Sequence, residues 1–151
     1  MSPGEVKVIE TNIDDMSGEI FGYIMERLME NNALDVWYTP IYMKKNRPGV
    51  MISVLCNPED EDKLKGILLN ETTTLGVRSY TAYRSILNRQ WTKVNTSFGD
   101  IRIKIAQNEK ICKAAPEYED CKQAAEKHGV PFREVYDAAR LAYEEIKRKK
   151  E

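Results

Sequence analysis

The chain has 151 residues, which is the length of one ordinary domain with room for a hydrophobic core. Its 23 basic and 24 acidic side chains give a net charge of −1, so the overall charge does not attract the molecule to nucleic acid. No apolar run is long enough to span a bilayer, the start is not signal-like, and three cysteines without a Cys-x-x-Cys pair favour reduced thiols, so we expect a cytoplasmic protein with no membrane partner.

Alternating strand and helix patterns begin the chain. Alternating β-branched residues predict a first strand over about residues 6–13, and apolar residues at helical spacing predict a first helix over about 17–32. A second strand is predicted over 35–43, followed by a turn over 44–49 and a buried third strand over 50–55.

A second helix and a fourth strand complete the pattern. Asn57-Pro58 followed by three acids is a strong helix start, and this helix is predicted to bury Leu64, Ile67 and Leu68. The fourth strand is predicted over about residues 76–86. The order β-α-β-β-α-β predicts an α+β protein with a ferredoxin-like, split β-α-β core.

Beyond this core we expect an added β-hairpin and two C-terminal helices. Gly99-Asp100 lies between two alternating segments, as in a hairpin turn, and Gly129-Val130-Pro131 separates helical patterns near 117–127 and 132–149. The chain 1–151 is predicted to be a single domain, made of a core over about 5–87, a hairpin over about 90–107 and a helical pair over about 116–150.

The junction between the first strand and the first helix carries two adjacent carboxylates, Asp14 and Asp15. Hard cations prefer carboxylate oxygen and helix N-termini attract anions, so this junction suits a divalent cation that holds phosphate. The plainer interpretation is helix capping, with Asp15 or Ser17 as the N-cap and Glu19 in the first turn.

Topology brings three polar segments to one end of the predicted sheet. With the strand order 4-1-3-2, the exit of the first strand, the turn after the second and the entry to the fourth share that end. These places carry Asp14-Asp15, Lys44-Lys45 with Arg47, and a loop over 72–78 that includes Thr74. Strands lie about 5 Å apart, so the loops are expected within roughly 5–15 Å of one another. Carboxylates, cations and small residues at a common edge predict a metal–polyphosphate site.

Several other polar residues have both a structural and a functional interpretation. Arg78 and Arg84 point to one face of a strand, which is either a solvated face or a clamp for phosphate or carboxylate groups. Cys112 and Cys121 form at most a weak soft-metal site, and structural roles are favoured. The acids after Pro116 are typical of any helix start, although one of them could act as a functional acid.

Four segments together resemble the LarC family of nickel insertion proteins, which serve the nickel-pincer nucleotide cofactor of lactate racemase. These segments are Glu10–Glu19, Lys44–Gly49, Glu71–Arg78 and Pro116–Cys121. The resemblance covers nearly the whole chain but only the C-terminal portion of a complete family member. Complete members carry a further N-terminal domain with a His-rich segment, so this chain is expected to be an isolated domain or one half of a split protein.

The resemblance implies a specific activity. LarC-like proteins are CTP-dependent nickel cyclometallases, lyases of the nickel chelatase type, which insert Ni²⁺ into pyridinium-3,5-bisthiocarboxylic acid mononucleotide. CTP is split to CMP and pyrophosphate through a CMP adduct of the substrate, with Mg²⁺ or Mn²⁺ assisting. The C-terminal domain is associated with CTP binding and with assembly into a homo-oligomer, a trimer or a dimer of trimers.

The same resemblance implies roles for individual residues. Asp14 and Asp15 become ligands of the helper cation and members of the catalytic set, with Glu117 as a candidate acid or base. The nucleotide-binding set consists of Lys44, Lys45, Arg47, Thr74, Arg78 and Arg84. We expect the chain alone to bind CTP yet to insert nickel poorly.

Two other function classes are also compatible with parts of the sequence. Ferredoxin-like domains often bind ligands without catalysis, so a non-catalytic nucleotide-binding or small-molecule-binding module for regulation or oligomerisation is the alternative. The last two predicted helices and the basic tail suggest nucleic-acid binding as a second alternative function. The near-zero net charge and the acidic helix start at Glu117-Tyr118-Glu119-Asp120 argue against it, so no nucleic-acid partner is expected.

Overall fold

The computed structural model describes residues 4–149, which form two compact units, residues 4–85 and residues 86–149. We call these the N-terminal unit and the C-terminal unit. Their boundary lies close to residue 87, the predicted end of the ferredoxin-like core. Whether the two units act as a single domain stays a prediction. The predicted limits at residues 1 and 151, and the last position of the helical pair near 150, lie outside the described residues.

The N-terminal unit contains four strands and two α-helices. In chain order they are β1 (Gly4–Ile13), α1 (Gly18–Glu30), β2 (Asp35–Met43), β3 (Arg47–Cys56), α2 (Glu61–Glu71) and β4 (Arg78–Arg84). The sheet order is β2-β3-β1-β4 and every neighbouring pair is antiparallel. This is the predicted ferredoxin-like order 4-1-3-2, which confirms the predicted fold of this unit.

Both helices pack on one face of this sheet. The strand residues Ile9, Ile13, Ile52 and Val54 are buried against helix residues that include Leu28. Further core members from the two helices are Ile24, Leu64 and Leu68. Residues paired across antiparallel strands point to the same face, so the register places Glu10, Trp37, Ser53, Arg78 and Tyr80 on the opposite face. We call this second surface, which neither helix covers, the open face.

The C-terminal unit is a three-stranded sheet packed against two helices. Its elements are β5 (Asn88–Thr96), β6 (Gly99–Gln107), β7 (Cys112–Pro116), α3 (Tyr118–His128) and α4 (Phe132–Arg148). The sheet order is β5-β6-β7, and the core joins Val94, Ile101 and Ile103 to Cys121 and Val135. The predicted hairpin and helical pair are both present.

One strand was not predicted. The segment Cys112–Pro116 reads Cys-Lys-Ala-Ala-Pro and has neither β-branched residues nor alternation, so its sequence favours no strand. It becomes β7 because its backbone pairs with β6, from Gln107 opposite Cys112 to Ile103 opposite Pro116. The added element is therefore a three-stranded sheet rather than a hairpin alone. Among the described residues, no helix is long and apolar enough to cross a membrane.

Candidate functional site

Three polar segments meet at one end of the N-terminal unit's sheet, as the predicted topology requires. The Arg47 Nη1 atom lies 3.6 Å from Asp14 Oδ2, which joins the start of β3 to the exit of β1. The Thr73 hydroxyl donates a hydrogen bond of 2.7 Å to Asp15 Oδ1, which joins the loop before β4 to the same exit. We call this end, formed by residues 14–17, 44–47 and 72–77, the rim.

The turn between β2 and β3 is held in an unusual backbone conformation. Lys45 and Asn46 have φ values of 61° and 58°, in the left-handed region that costs a residue with a Cβ roughly 1 kcal/mol. Gly49 makes the turn's approach to β1 possible, because a Cβ there would lie 2.8 Å from the Ile13 carbonyl oxygen and 2.6 Å from Met43 Sδ. The local sequence therefore places two lysines next to the exit of β1.

Hydroxyl groups anchor the loop before β4 to β1. Thr11 is 2% exposed, and its hydroxyl lies 2.5 Å from the Thr74 hydroxyl and 3.0 Å from the Gly76 carbonyl oxygen. The Thr72 hydroxyl donates to the Leu68 carbonyl at the end of α2. Thr74 therefore has a structural contact that accounts for its presence, and its predicted contact with a nucleotide stays a prediction.

The charges of the rim have few partners of their own. Lys44 and Lys45 are exposed, and no ion pair within residues 4–149 involves either of them. The one ion pair of the rim, between Arg47 and Asp14, is long. Such an arrangement leaves cationic groups available for an anionic ligand.

The two rim carboxylates alone do not make a complete cation site. In the part of the chain that the structure describes, no group of three or more His, Cys, Asp or Glu side chains is arranged to hold a metal ion. Mg²⁺ is usually bound by one or two carboxylates together with substrate phosphates and water. Two carboxylates are thus as many as the protein contributes to a magnesium site of this kind.

A second polar cluster lies on the open face, next to the rim. The Arg78 guanidinium donates through Nε to Glu10 Oε2 at 3.0 Å, and through Nη2 to Asn12 Oδ1 at 3.3 Å and Met51 Sδ at 3.2 Å. The Tyr80 hydroxyl donates to Glu10 Oε1 at 2.9 Å, and this bond to a carboxylate raises the pKa of Tyr80. Arg78 therefore lies flat across the sheet rather than extending into solvent.

Glu10, Asn12 and Thr73 were not predicted as individual site residues. Glu10, Asn12 and Asp14 follow the two-residue period of a strand, and this spacing was the available signal that they share one face. The contact of Thr73 with Asp15 depends on the loop conformation, for which the sequence carries no comparable signal.

Two predicted site residues lie elsewhere. Arg84 pairs with Gly4 at the far end of β4, about 20 Å along the strand from Arg78 by the rise per residue, so it is not part of the rim. Glu117 lies in the C-terminal unit, where its Oε1 atom accepts a 2.8 Å hydrogen bond from the Trp91 indole and lies 4.0 Å from Lys104 Nζ. The predicted roles of both residues stay predictions.

The cysteines have structural surroundings. Cys56 is fully buried in the core of the N-terminal unit, and burial together with nearby acids raises its pKa to about 11, so the group is a thiol at neutral pH. Cys121 is buried in the other core, where burial also raises its pKa, while Cys112 is exposed on β7. The buried position of Cys121 agrees with a structural role, while the role of the exposed Cys112 stays a prediction.

The sheet order and the rim define a ferredoxin-like α+β protein with a charged edge. Within that class, the chain belongs to the nickel insertion protein family, whose family model, described as "Nickel insertion protein", matches residues 1–136. The resemblance to the LarC family is thereby confirmed.

Individual relatives and a solved structure agree with this assignment. The chain is 54% identical over 138 residues to the pyridinium-3,5-bisthiocarboxylic acid mononucleotide nickel insertion protein of Acetivibrio thermocellus, which covers 91% of this chain and 34% of that protein. It is 45% identical over 141 residues to the protein of the same name from Lactiplantibacillus plantarum, which covers 93% of this chain and 34% of that protein. The chain thus spans about a third of the length of these curated relatives.

The structural comparison identifies the corresponding part of a related protein. The structure is similar to the apo form of LarC2, the C-terminal domain of a cyclometallase involved in the synthesis of the NPN cofactor of lactate racemase. The TM-score is 0.91 at 45% identity, and the match covers 95% of this chain and 99% of that one. The two folds are therefore equivalent over almost their whole length.

Proposed function

We propose that this chain binds CTP with a divalent cation as part of a nickel insertion enzyme. The observation that carries the proposal is the meeting of Asp14, Asp15 and Arg47 at one rim, next to two lysines that form no ion pair within residues 4–149. The names of its relatives support the substrate, pyridinium-3,5-bisthiocarboxylic acid mononucleotide, with Ni²⁺ as the metal to be inserted.

The proposed role of each rim residue follows from its charge. Asp14 and Asp15 hold Mg²⁺ or Mn²⁺, which neutralises phosphate charge when CTP is bound. Lys44, Lys45 and Arg47 bind the triphosphate oxygens and stabilise the negative charge that develops on pyrophosphate as CTP is split to CMP and pyrophosphate. Arg47 can reach the phosphates because its side chain is 56% exposed and its contact with Asp14 is long.

The proposal also includes the other predicted site residues, the assembly and the source of nickel. Arg78 and Arg84 bind phosphate or substrate carboxylates, and Glu117 serves as an acid or base. The assembly is a cytoplasmic homo-oligomer, a trimer or a dimer of trimers. Because the curated relatives are about three times as long, nickel delivery depends on their additional regions, which by family resemblance include a His-rich domain, and this chain alone inserts nickel poorly.

Calorimetric titration with CTP in the presence of Mn²⁺ tests the rim. We expect Lys45→Gln to weaken CTP binding at least about tenfold, because a charged hydrogen bond contributes roughly 1.5–3 kcal/mol. The matched control is Lys63→Gln on α2, whose lysine pairs with Asp60. The proposal is wrong if the unsubstituted chain does not bind CTP, or if both variants bind it equally well.

A turnover measurement distinguishes the proposed enzyme from the alternative, a non-catalytic regulatory module. Incubation with CTP, Ni²⁺ and the thiocarboxylate substrate should release pyrophosphate when the whole enzyme is present. Binding of CTP without any pyrophosphate release, even in a full-length relative, would favour the non-catalytic module.

A further inference from the structure

One face of the C-terminal unit's sheet concentrates positive charge. Val94, Ile101 and Ile103 point into the core against α3 and α4, so the residues that alternate with them along the strands point to the other face. We call this second surface the basic face. Its cationic and aromatic members are Arg89, Trp91, Lys93, Arg102, Lys104 and Lys113, and all except the half-buried Lys104 are exposed. Since the whole chain has a net charge of only −1, positive charge is segregated onto this face.

The register of the sheet places like charges next to one another. Lys93 on β5 is directly opposite Arg102 on β6, and directly opposed like charges destabilise an antiparallel pair of strands. Arg89 on β5 and Lys113 on β7 both lie opposite the same residue of β6. No ion pair within residues 4–149 involves Arg89, Lys93 or Lys113. A bound anion would relieve this repulsion.

Trp91 lies between these two groups of cations with its ring held in place. Its indole N–H donates a hydrogen bond of 2.8 Å to Glu117, which follows β7, so the ring is directed across the sheet. The side chain is nevertheless 53% exposed. An indole face attracts flat rings, and it attracts positively charged groups because the face carries the negative part of the ring quadrupole. The basic face thus offers a stacking surface with cations on either side.

Two members of the basic face also line a cavity. This cavity has a volume of about 440 Å³, and its cations are Lys93, Arg102 and Lys127. Its two carboxylates already have partners, since Asp120 accepts hydrogen bonds from Arg102 and Asp100 accepts one from an asparagine of β5. In the part of the chain that the structure describes, no ion pair involves Lys93 or Lys127. Their ammonium groups are therefore available to an anion such as a phosphate.

These features match the charge pattern of the substrate that the relatives are named for. Pyridinium-3,5-bisthiocarboxylic acid mononucleotide has a flat, positively charged ring with two acidic substituents, and a sugar joins this ring to a phosphate. We propose that the basic face binds this substrate. The pyridinium ring stacks on Trp91, and the phosphate binds Lys93 and Lys127. The two thiocarboxylates bind Arg89 and Lys113. This inference rests on the substrate named in the proposed function.

The spacing of the side chains fits this arrangement. Arg89 and Lys93 lie two residues on either side of Trp91, which is about 7 Å along β5 in each direction. A ribose separates a pyridinium ring from its phosphate by a similar distance. Glu117 holds the indole N–H, so the proposed acid or base lies next to the bound ring.

The inference also narrows an earlier assignment. Arg78 and Arg84 were proposed to bind either phosphate or substrate carboxylates. With the thiocarboxylates on the basic face, phosphate remains as the ligand of these two arginines.

Fluorescence tests the stacking. The chain has two tryptophans, so Trp37→Phe leaves Trp91 as the sole indole reporter. The probe is the oxygen analogue of the substrate, pyridinium-3,5-dicarboxylic acid mononucleotide. We expect it to quench the Trp91 emission to saturation, because an electron-poor pyridinium ring in contact with an excited indole accepts charge from it. Uridine monophosphate, which has no cationic ring, should leave the emission nearly unchanged.

Two fluorescence results would overturn the inference. Quenching that rises linearly with concentration and never saturates means that the probe only collides with Trp91. Saturable quenching in Trp91→Phe, which leaves Trp37 as the reporter, with none in Trp37→Phe, means that the probe binds elsewhere.

Calorimetry with the same probe tests the cations. We expect Lys93→Gln and Arg89→Gln each to weaken binding of the oxygen analogue about tenfold, because each removes a charged hydrogen bond. The matched control is Lys122→Gln, whose lysine is exposed on α3 and lies outside the cavity lining. Lys93 and Arg89 are exposed, so both variants should fold. Affinities equal to that of the control overturn the inference.

Titration with CTP and Mn²⁺ separates this inference from the proposed function. Lys45→Gln should weaken CTP binding and leave the affinity for the oxygen analogue unchanged, and Lys93→Gln should do the reverse. A chain that binds CTP but not the analogue overturns the inference alone, and a chain that binds the analogue but not CTP overturns the rim alone. Quenching of Trp91 by a single-stranded oligoribonucleotide at lower concentrations than by the analogue would make the basic face a nucleic-acid surface, which also overturns the inference.

Discussion

The rim of the N-terminal unit and the Arg102–Asp120 pair of the C-terminal unit both bring an arginine to an aspartate. The two arrangements differ in how many contacts the aspartate makes and how short they are. Arg102 contacts Asp120 through Nε and Nη2 at distances of 2.7–3.3 Å, and its backbone N–H also donates to this carboxylate. At the rim, Asp14 has one contact of 3.6 Å with Arg47. Charged groups that hold the fold therefore differ from those available to a ligand in the number and length of their contacts within the protein. Charge alone does not distinguish them.

The point at which β7 ends explains why Arg102 and Asp120 form the tighter of the two pairs. This strand ends at Pro116, so the Arg102 N–H on β6 lies beyond the last paired residue of the ladder. Asp120, in the first turn of α3, accepts the hydrogen bond that a longer strand would have accepted. Its carboxylate therefore completes the edge of the sheet, a task that no rim carboxylate performs.

The largest effect on stability is expected at the backbone that supports the rim. Gly49→Ala places a Cβ 2.8 Å from the Ile13 carbonyl oxygen, and this backbone atom cannot move cheaply. Overpacking of this kind costs about 1–3 kcal/mol, so urea denaturation should show a lower free energy of unfolding. The same change moves the turn away from Asp14 and should weaken CTP binding.

A second glycine provides the control. Gly22 lies within α1, and a Cβ there meets nothing within 4 Å, so Gly22→Ala should raise stability by about 0.5–1 kcal/mol. If both substitutions leave the free energy of unfolding unchanged, the close approach of β3 to β1 does not support the rim.

A smaller effect is expected from Asp120→Asn. The Arg102 guanidinium lowers the pKa of the Asp120 carboxyl, so its contribution to stability is present above the unfolded pKa of about 3.9 and is lost as pH falls through the folded value. We expect a loss of about 1 kcal/mol at pH 7, below the usual range for charged hydrogen bonds because Arg102 is half exposed and solvent screens the pair. Melting temperatures measured from pH 7 to pH 3 check this, since the variant should lose less stability at low pH than the unsubstituted chain.

Asp137→Asn is the matched control for that pair. Asp137 lies 3.5 Å from Arg133 on α4, and both side chains are well exposed. Exposed pairs of this kind contribute about 0–1 kcal/mol, so this variant should unfold like the parent chain across the pH range. Equal acid sensitivity of the two variants would mean that Asp120 does not stabilise the sheet edge.

The arrangement of the rim could be predicted because it follows from element order. Hydrophobic periodicity set the order of strands and helices, and the sheet order then determined which loops share an end. This is why Asp14 and Arg47, which lie 33 positions apart in the sequence, were expected near one another and are. Neither their distance of 3.6 Å nor the contact of Thr73 with Asp15 could be predicted, because loop conformation decides both.

Other features depend on long-range backbone pairing and had no local signal. β7 exists because β6 has a free edge to pair with, and its own residues carry no strand preference. The cluster of Glu10 with Arg78 depends on the register between β1 and β4, in which these residues are directly opposed. Hydrophobic patterns determine which face is buried, but they do not determine which polar residues meet on the other face.

The smallest effect on stability is expected at the rim charges, and it completes the contrast with Asp120. Asp14→Asn removes one ion pair of 3.6 Å, whose Arg47 partner is 56% exposed, so the free energy of unfolding should change by no more than about 0.5 kcal/mol. The same substitution removes a proposed ligand of the cation, so CTP affinity measured with Mn²⁺ should fall by about tenfold or more. Urea denaturation and calorimetry on one preparation give both values, with Asp120→Asn expected to show the reverse pattern of lower stability and unchanged CTP affinity. A loss of stability in Asp14→Asn as large as that in Asp120→Asn would mean that the Arg47 pair holds the fold, and the rim could then no longer be distinguished by its few partners.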